Sequence, residues 1–330
     1  MSVTFISGGT GTPKLLDGAR EILNPEEISV AVNVADDCVV GGNLVCPDID
    51  TVLYTLSDRI DRNRWWGVRD DTERVHGELL ELSGNDNGGQ GVSEPEVRTV
   101  EANREIGRER CFSGASEFMT IGDSDRALHV YRTGLLDEGY SLTDATSIVA
   151  DTLGVRTEVV PVTDDPVSSW VETPDGWMHF QEFWVARGGG VEVQDVEFRG
   201  CGSASATPEI LDSLDHPVII GPSNPVTSVG PFLEFNEVRE GLRDTFVVAV
   251  SPFVGGDVVS GPAADLMDAC GVSADSEGVY QTYSGFVDVL VVDDEDPDVD
   301  CRVVEMDTVM DDRDDAVDLS RELFEVAGLE

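Results

Sequence analysis

The chain has 330 residues, and 66 acidic against 21 basic side chains give it a net charge of -45. This charge repels nucleic acid and anionic membranes, so we expect neither as a partner. The carboxylates are spread over the whole chain, which contains a single lysine. Such a pattern is typical of proteins that work in molar salt, where the Debye length falls to about 3 Å. The composition therefore predicts a halophilic, archaeal source.

The apolar content of 40% is that of a globular, enzyme-sized chain, and no apolar run is long enough to predict a transmembrane helix. A strand predicted to begin at Val3 leaves no room for a signal peptide, so we expect a cytoplasmic protein. The six cysteines form no C-x-x-C pair and only four histidines are present, so no zinc site is expected. We expect free, mostly buried thiols.

Short runs rich in valine and isoleucine alternate with helical patterns, which is typical of an α/β fold. The runs predict strands at 3–7, 28–34, 118–122, 217–221, 246–251 and 287–292. Runs that are apolar throughout, such as 217–220 and 246–250, suit strands covered on both faces of a parallel sheet. The first helix is predicted to begin with Thr12 as N-cap and Pro13 at its first position.

Two segments interrupt this alternation. Residues 84–117 are polar, charged and rich in glycine, which predicts a mobile surface insertion without strands or packed helices. Aromatic residues alternate with polar ones between 156 and 200, around the turn at Pro174-Asp175-Gly176, which predicts an antiparallel hairpin. We therefore predict one Rossmann-like, doubly wound domain over 1–330 with a mostly parallel sheet and an inserted hairpin and helical subdomain at about 125–205. An amphipathic helix is predicted at 312–328.

A glycine-rich run, Ser-Gly-Gly-Thr-Gly-Thr-Pro-Lys at 7–14, follows the first predicted strand and ends at the only lysine. Glycines let backbone N–H groups approach an anion, and the helix N-terminus adds partial positive charge, so the run is a candidate phosphate site. It matches neither common fingerprint. Leu15 stands where a P-loop needs serine or threonine, and Lys14 occupies the third glycine position of G-x-G-x-x-G. A tight strand-to-helix turn is the alternative interpretation.

Four carboxylates lie close together in the sequence. Asp36 and Asp37 follow the second predicted strand, and Asp48 and Asp50 precede a helical pattern. Oxygen ligands of this kind suit Mg²⁺, which often takes one or two protein carboxylates together with substrate phosphate oxygens. Solvated surface aspartates are the alternative, and Asp48 and Asp50 could also serve as helix N-caps.

A second polar loop follows the strand predicted at 217–221. It offers uncharged hydrogen-bonding groups at Ser223, Asn224, Thr227 and Ser228. The loop could hold a phosphate or a sugar, or it could be an ordinary turn. In an open α/β sheet the carboxyl ends of the strands line one crevice, so we expect this loop, the glycine run and the aspartates to converge there. His179, in contrast, lies in an aromatic strand and is predicted to be a packed structural residue.

Together these segments resemble the 2-phospho-L-lactate transferase family in order and content. The similar blocks are 7–14, 32–37, 46–56, 121–129, 163–167, 179–185, 221–231 and 259–263. The resemblance implies a Rossmann-like, Mg²⁺-dependent enzyme of coenzyme F-420 biosynthesis. Such an enzyme transfers the 2-phospholactate moiety of (2S)-lactyl-2-diphospho-5'-guanosine to the ribityl hydroxyl of 7,8-didemethyl-8-hydroxy-5-deazariboflavin and releases GMP.

The matching positions imply a role for each site residue. The catalytic residues would be Asp50 and Lys14, the deazaflavin contacts would be Asp50, Thr120 and Asp123, and the metal ligands would be Asp36, Asp37 and Asp50. The donor's diphosphate and nucleotide would contact Gly9, Thr10, Gly11, Thr12, Lys14, Ser223, Asn224, Thr227 and Ser228. Two departures from the family pattern stand out: the insertion at 84–117 is longer, and Thr120 replaces a common lysine.

Two other functions stay open at this point. A nicotinamide-dependent dehydrogenase would use Asp36, which follows Gly11 at nearly the Rossmann spacing, to hold a ribose, although the third glycine is missing. A nucleotide-binding module without turnover is the non-enzymatic alternative. For the transferase we expect direct in-line phosphoryl transfer, because no serine, cysteine or histidine pairing indicates a covalent intermediate. A homodimer is expected from the general prevalence of twofold assemblies.

Overall fold

The fold was obtained as a computed structural model, which describes residues 2–83, 111–112, 118–259, 261–294 and 296–329. The strands are β1 Val3–Ser7, β2 Ile28–Val32, β3 Cys38–Val40, β4 Asn43–Val45, β5 Cys111–Phe112, β6 Glu158–Pro161, β7 Ser168–Thr173, β8 Gly176–His179, β9 Asp195–Arg199, β10 Val218–Ile220, β11 Val247–Val250, β12 Phe253–Val254, β13 Asp257–Val258, β14 Val289–Val292 and β15 Arg302–Glu305. The α-helices are α1 Gly11–Ala19, α2 Pro47–Leu56, α3 Arg74–Ser83, α4 Asp123–Asp137, α5 Leu142–Leu153, α6 Pro208–Ser213, α7 Gly230–Leu233, α8 Asn236–Asp244, α9 Ala263–Ala269, α10 Ser276–Tyr283 and α11 Arg313–Val326. Short 3₁₀ segments span Pro25–Glu27 and Cys201–Ser203, and π-helical segments span Glu182–Ala186 and Pro225–Val229.

Seven parallel strands form the central sheet, in the order β15-β14-β11-β10-β1-β2-β6. Counted along the chain within this sheet, the order is the Rossmann order with a seventh strand added. The strand order reverses between β1 and β10, where ligands bind in folds of this kind. Every residue of β1, β10, β11 and β14 is buried, which explains their apolar sequences. The predicted α/β, doubly wound fold is confirmed.

The strand predicted at 118–122 is wrong, because this segment is irregular chain that leads into α4. Its apolar side chains are buried in a small separate core, where Phe118 and Ile121 pack with Val40 and Val45 from the sheet β4-β3-β5. Two strands of the central sheet were not predicted. They are the two edge strands, β6 and β15, and every residue of β15 is partly or fully exposed.

Helix α1 begins two residues earlier than predicted. Its first residue is Gly11 and Thr10 precedes it, so Thr12 lies inside the helix instead of capping it. The Thr12 hydroxyl donates a 3.1 Å hydrogen bond to the carbonyl oxygen of Ile6 in β1. The side chain therefore ties the helix to the preceding strand. The predicted C-terminal helix is confirmed as α11.

The antiparallel subdomain is confirmed as the three-stranded sheet β8-β7-β9. Within the predicted range 125–205, strand β6 pairs with β2 in the central sheet, and the antiparallel sheet begins after it. The predicted insertion at 84–117 lies outside the described residues except for β5, which pairs with β3, so the prediction that this segment contains no strand is wrong. Five cysteines, Cys38, Cys46, Cys201, Cys270 and Cys301, are free, and the first three of them are buried. In the described part of the chain, no helix combines the length and the apolar character that crossing a membrane requires.

Candidate active site

A cavity of about 620 Å³ opens where β1 and β10 end, at the reversal of strand order. Three of its wall segments directly follow central strands, as expected for a ligand site at the carboxyl edge of a parallel sheet. They are Gly8–Gly11 after β1, Pro222–Ser228 after β10 and Ser251–Pro252 after β11. The first turn of α2, parts of α4 and the segment 308–311 complete much of the wall. The predicted convergence of strand ends is therefore present.

Glycines are required where the first two of these loops touch. A Cβ atom on Gly8 would lie 2.7 Å from the Cβ of Ser228, and one on Gly11 would collide with the carbonyl group of Pro222. Gly9 has a φ of +65°, in the left-handed region that favours glycine. The glycine run is thus shaped by close approach of the loop after β10. This geometry leaves the N-terminus of α1, with its partial positive charge, facing the cavity.

The loop after β10 turns on Asn224. Its side-chain oxygen accepts hydrogen bonds from the N–H groups of Val226 and Thr227, at 2.9 and 3.4 Å. The Asn224 amide nitrogen is buried and has no hydrogen-bond partner among the described residues, although the residue lines the cavity. Ser223 and Ser228 are also buried in the wall. The loop therefore presents uncharged donors to the cavity, as suits a phosphate or a sugar.

Asp36 and Asp48 are two of the aspartates that line the cavity. Asp48 accepts hydrogen bonds from the Gly9 N–H at 2.7 Å and from the Asn33 side-chain amide at 2.9 Å. Burial raises the pKa of Asp48 to about 6, against the effect of these two bonds. Burial and the neighbouring Asp48 charge raise the pKa of Asp36 well above its usual range. Asp36 Oδ1 is buried and has no hydrogen-bond partner among the described residues.

Asp50 faces the same cavity but lies in a different electrostatic environment. Both terminal nitrogens of Arg132 donate to its carboxylate, and His129 Nε2 lies 3.0 Å from Asp50 Oδ2. Burial acts to raise the pKa of Asp50, but Arg132 and His129 outweigh it and hold the value at about 2. Asp50 therefore stays negatively charged.

The same ion network extends along α4. His129 Nε2 lies 3.2 Å from Asp125 Oδ1, which also accepts a 2.7 Å hydrogen bond from the Tyr54 hydroxyl. Burial lowers the pKa of His129, but the hydrogen bonds and charges of Asp125 and Asp50 raise it to about 9. Asp50, Asp125 and His129 lie close enough to hold a metal ion. However, the adjacent Arg132 and a cationic His129 already balance the carboxylates, so we interpret this group as an ion network.

Lys14 extends into the cavity from the first turns of α1. Its ammonium group lies 5.6 Å from the centre of the Trp65 ring, and the charge of Asp311 stabilises it. Burial lowers the pKa of Lys14, partly offset by Asp311. Within the described residues, the ammonium makes no hydrogen bond and no ion pair within 4 Å.

The structure brings most of the predicted site residues to the cavity wall, which includes Gly9, Thr10, Gly11, Lys14, Asp36, Asp50, Thr120, Ser223, Asn224, Thr227 and Ser228. It does not bring Thr12, Asp37 or Asp123 there. Thr12 is buried behind the wall, 2.9 Å from the Ser223 hydroxyl. Asp37 is buried beside the Cys46 thiol, and Asp123 accepts hydrogen bonds from the Thr72 hydroxyl and backbone amides near the start of α3. His179 is buried, and its Nδ1 accepts a 3.1 Å hydrogen bond from the Gln181 N–H, as suits a structural residue.

Sequence reasoning missed four residues that shape the site: Asn33, Tyr54, His129 and Arg132. A signal for part of this group was present. Asp125, His129 and Arg132 recur at helical spacing and share one face of α4. The number of acidic residues in the chain hides such a pattern, because most of them are solvated.

Comparison with known proteins identifies the family. The family model for 2-phospho-L-lactate transferase CofD matches residues 3–328. The chain belongs to this family. This transferase family includes relatives named 2-phospho-L-lactate transferase from Haloarcula marismortui, 50% identical over 323 residues, and Halobacterium salinarum, 48% identical over 323 residues. The first alignment covers 97% of both chains, and the second covers 96% of this chain and 95% of the relative.

Other similarities agree with this assignment. A 2-phospho-L-lactate transferase from Methanosarcina barkeri is 42% identical over 335 residues, covering 98% of this chain and 97% of the relative. A crystal structure of a UPF0052 family member from Bacillus halodurans matches 98% of both chains with a TM-score of 0.61 at 18% identity, and so supports the fold alone. The chain is therefore an enzyme of the transferase class. Its haloarchaeal relatives agree with the halophilic, archaeal source that the charge pattern predicted.

Proposed function

We propose that the enzyme transfers 2-phospholactate from (2S)-lactyl-2-diphospho-5'-guanosine to 7,8-didemethyl-8-hydroxy-5-deazariboflavin and releases GMP, a step of coenzyme F-420 biosynthesis. The observation that carries the proposal is one cavity that joins a phosphate-type wall to a buried acidic wall. The names of the relatives support the same reaction. The homodimer and the cytoplasmic location inferred from the sequence stay predictions.

The donor's diphosphate fits the wall formed by the loops after β1 and β10. The N-terminus of α1 supplies N–H groups and partial positive charge, and Lys14 supplies a full charge. The buried Asn224 amide can donate to the same anion, because none of the described residues accepts from it. These groups would neutralise charge that develops on the transferred phosphoryl group, which is the main task of the protein in phosphoryl transfer.

A magnesium ion fits Asp36 and Asp48. Both carboxylates line the cavity, and neither makes an ion pair with a cationic side chain among the described residues. Asp36 Oδ1 is also buried without a hydrogen-bond partner among the described residues. Magnesium prefers such oxygen ligands, and when bound it would neutralise and orient the diphosphate. Asp50 suits the ion less well, because Arg132 already balances its charge.

Asp50 is placed to orient the acceptor. It lines the cavity and stays charged, so it can accept a hydrogen bond from the ribityl hydroxyl. A carboxylate whose pKa is about 2 is a weak base, however. Asp50 therefore holds and polarises the hydroxyl while the phosphoryl group is transferred, with His129 and Arg132 fixing its orientation. Thr120 lines the wall as well and can contact the deazaflavin.

The reaction can be tested directly. The purified enzyme is incubated in molar salt with the deazaflavin, Mg²⁺ and the lactyl, enolpyruvyl or glyceryl form of the guanosine diphospho-donor, and the phosphodiester product is detected by mass. We expect product and GMP with the lactyl donor. Absence of product with every donor would overturn the proposal. A dehydrogenase would instead change NADH fluorescence on binding, and a non-catalytic module would bind GMP without turnover.

Two matched variants test the role of Asp50. Asp50→Asn should lower turnover by roughly a hundredfold or more, because the oriented charge at the acceptor is lost. Asp123→Asn is the control, since Asp123 lies outside the cavity wall and asparagine can still accept hydrogen bonds from the start of α3. Equal losses in both variants would show that the predicted acceptor site is misplaced. Magnesium binding is measured separately, by Mn²⁺ paramagnetic resonance on Asp36→Asn and the parent protein.

A further inference from the structure

The loop between α2 and α3 has a strained backbone. In the described part of the chain, only three residues other than glycine have a positive φ, and all lie in this loop: Asp58 at 57°, Trp65 at 58° and Asp70 at 56°. Aspartate tolerates the left-handed region, whereas a bulky aromatic residue there is an outlier. Such strain persists where the surrounding structure fixes it, often because a functional site needs that geometry.

Strong contacts hold the loop in place. Arg62 donates to the buried Asp17 of α1 through two nitrogens, at 2.8 and 3.0 Å. Arg313 at the start of α11 donates to both oxygens of the same carboxylate. Within the loop, the Trp65 N–H donates to the Asp61 carbonyl at 2.7 Å. The loop is therefore fixed to the same helix that carries Lys14.

The side chain of Trp65 contacts the only lysine of the chain. Its ring centre lies 5.6 Å from the Lys14 ammonium, within the range of a cation–π interaction. The described residues offer Lys14 no hydrogen bond and no ion pair within 4 Å, so the ring and the charge of Asp311 are what direct it. A flexible four-carbon side chain without such a contact would sample many rotamers.

We propose that Trp65 is a positioning residue, whose ring holds the Lys14 ammonium at the cavity wall for the donor's diphosphate. The strained φ of Trp65 is the local cost of placing the ring under the ammonium. The ligand side of this proposal rests on the proposed function, because it takes the diphosphate as the partner of Lys14. The placement of Lys14 by the ring does not depend on the proposed function, and it can be measured without any substrate.

The single lysine makes this measurement simple. Reductive methylation with carbon-13-labelled formaldehyde keeps the charge of the amine and labels one side chain, Lys14, besides the N-terminus. We expect the Lys14 methyl resonance to show a ring-current shift that disappears in Trp65→Gly and persists in part in Trp65→Phe. Glycine accepts the positive φ, so Trp65→Gly removes the ring without imposing new strain.

Binding of GDP gives the second measurement. Without the ring, the dissociation constant for GDP should rise roughly three- to thirtyfold, the range expected for losing a cation–π contact. The KM for the deazaflavin should stay unchanged, because Trp65 does not line the cavity. Trp177→Leu is the matched control. It removes a cation–π contact to Arg199 of 5.5 Å, nearly the same length, and neither residue lines the cavity.

The outcomes separate the two proposals. A Lys14 resonance that is the same in Trp65→Gly and the parent protein would overturn the positioning role. The positioning role would also be overturned if Trp65→Gly bound GDP as tightly as the parent protein, or if Trp177→Leu lost as much GDP affinity as Trp65→Gly. If the parent protein binds no GDP while its Lys14 resonance still depends on Trp65, the proposed function fails and the positioning of Lys14 stands.

Discussion

The buried ion pair between Arg132 and Asp50 gives a sharp test of the site's electrostatics. Arg132 is fully buried, and Asp50 is 4% exposed. Arg132→Met keeps much of the side-chain volume and removes the charge, so that Asp50 loses its main compensating group. Removing one partner of a buried pair typically costs about 3–5 kcal/mol, because the other charge is left without compensation.

The structure places the expected loss at the lower end of this range. His129 Nε2 lies 3.0 Å from the same carboxylate, and its pKa of about 9 leaves it cationic at neutral pH. We therefore expect Arg132→Met to lower the free energy of unfolding by about 3 kcal/mol. Adding Asp50→Asn removes the uncompensated charge. The double variant should then lose about 2 kcal/mol less than the sum of the two single variants.

Urea denaturation at a fixed molar KCl concentration and pH 7 measures these free energies, because urea leaves the ionic strength unchanged. The unfolding of the parent protein and of each variant should be followed by two probes, to establish that every transition is two-state. A loss below about 1 kcal/mol for Arg132→Met would refute the reasoning. So would additive losses in the double variant, since the two side chains would then not be coupled.

Three further predictions concern stability. The raised pKa of His129, about 9 against 6.5, stabilises the fold fully below pH 6.5 and ceases to do so as pH rises through 9. The parent protein should therefore lose about 3 kcal/mol over this interval relative to His129→Gln, as measured by urea denaturation. Gly11→Ala should lower the melting temperature and GDP affinity, because its Cβ would collide with the facing loop, whereas Gly77→Ala has open space within α3 and should be neutral or slightly stabilising. Asp17→Asn should cost about 2 kcal/mol or more even in molar salt, because Asp17 is buried among arginines, whereas the exposed Asp318→Asn should cost less than about 0.5 kcal/mol.

Each prediction has a result that contradicts it. A pH dependence that is the same in His129→Gln and the parent protein would show that another group titrates. Equal behaviour of the two glycine variants would mean that the loops can separate freely. If Asp17→Asn were as mild as Asp318→Asn, the buried arginine contacts would contribute nothing beyond a surface pair.

Much of the fold follows from local patterns in the sequence. The runs in β1, β10 and β11 are apolar on both faces, which is the pattern of strands covered by helices. Strand β15 has partly exposed residues, and β6 begins with an exposed glutamate and ends at a proline, so neither has a comparable run. The segment 118–122 has the composition of a strand, but its apolar residues pack in a separate small core. Composition alone does not distinguish these two kinds of burial.

The candidate site was predictable where backbone geometry sets it. The glycine run and the loop after β10 follow strands that flank the reversal of strand order, so their positions follow from the fold. The ion network was not predictable in the same way, because Asp50 and Arg132 lie 82 residues apart. Which aspartate meets the arginine depends on how α4 packs across α2. That packing also lowers the pKa of Asp50, whereas burial raises the pKa of Asp48, two residues away.

The distribution of positive charge supports a ligand role for Lys14. Among the described residues, the ion pairs with carboxylates are made by arginine or histidine. Arginine suits these structural contacts because its planar group donates through several nitrogens at once, as Arg62 and Arg132 do here. Lys14 instead keeps a compact ammonium, half buried beside Trp65 and outside every one of these pairs. Among the described residues, no carboxylate within 4 Å pairs with this charge. A charge retained there, in a chain that uses arginine for its structural contacts, is available to an anion that enters the cavity.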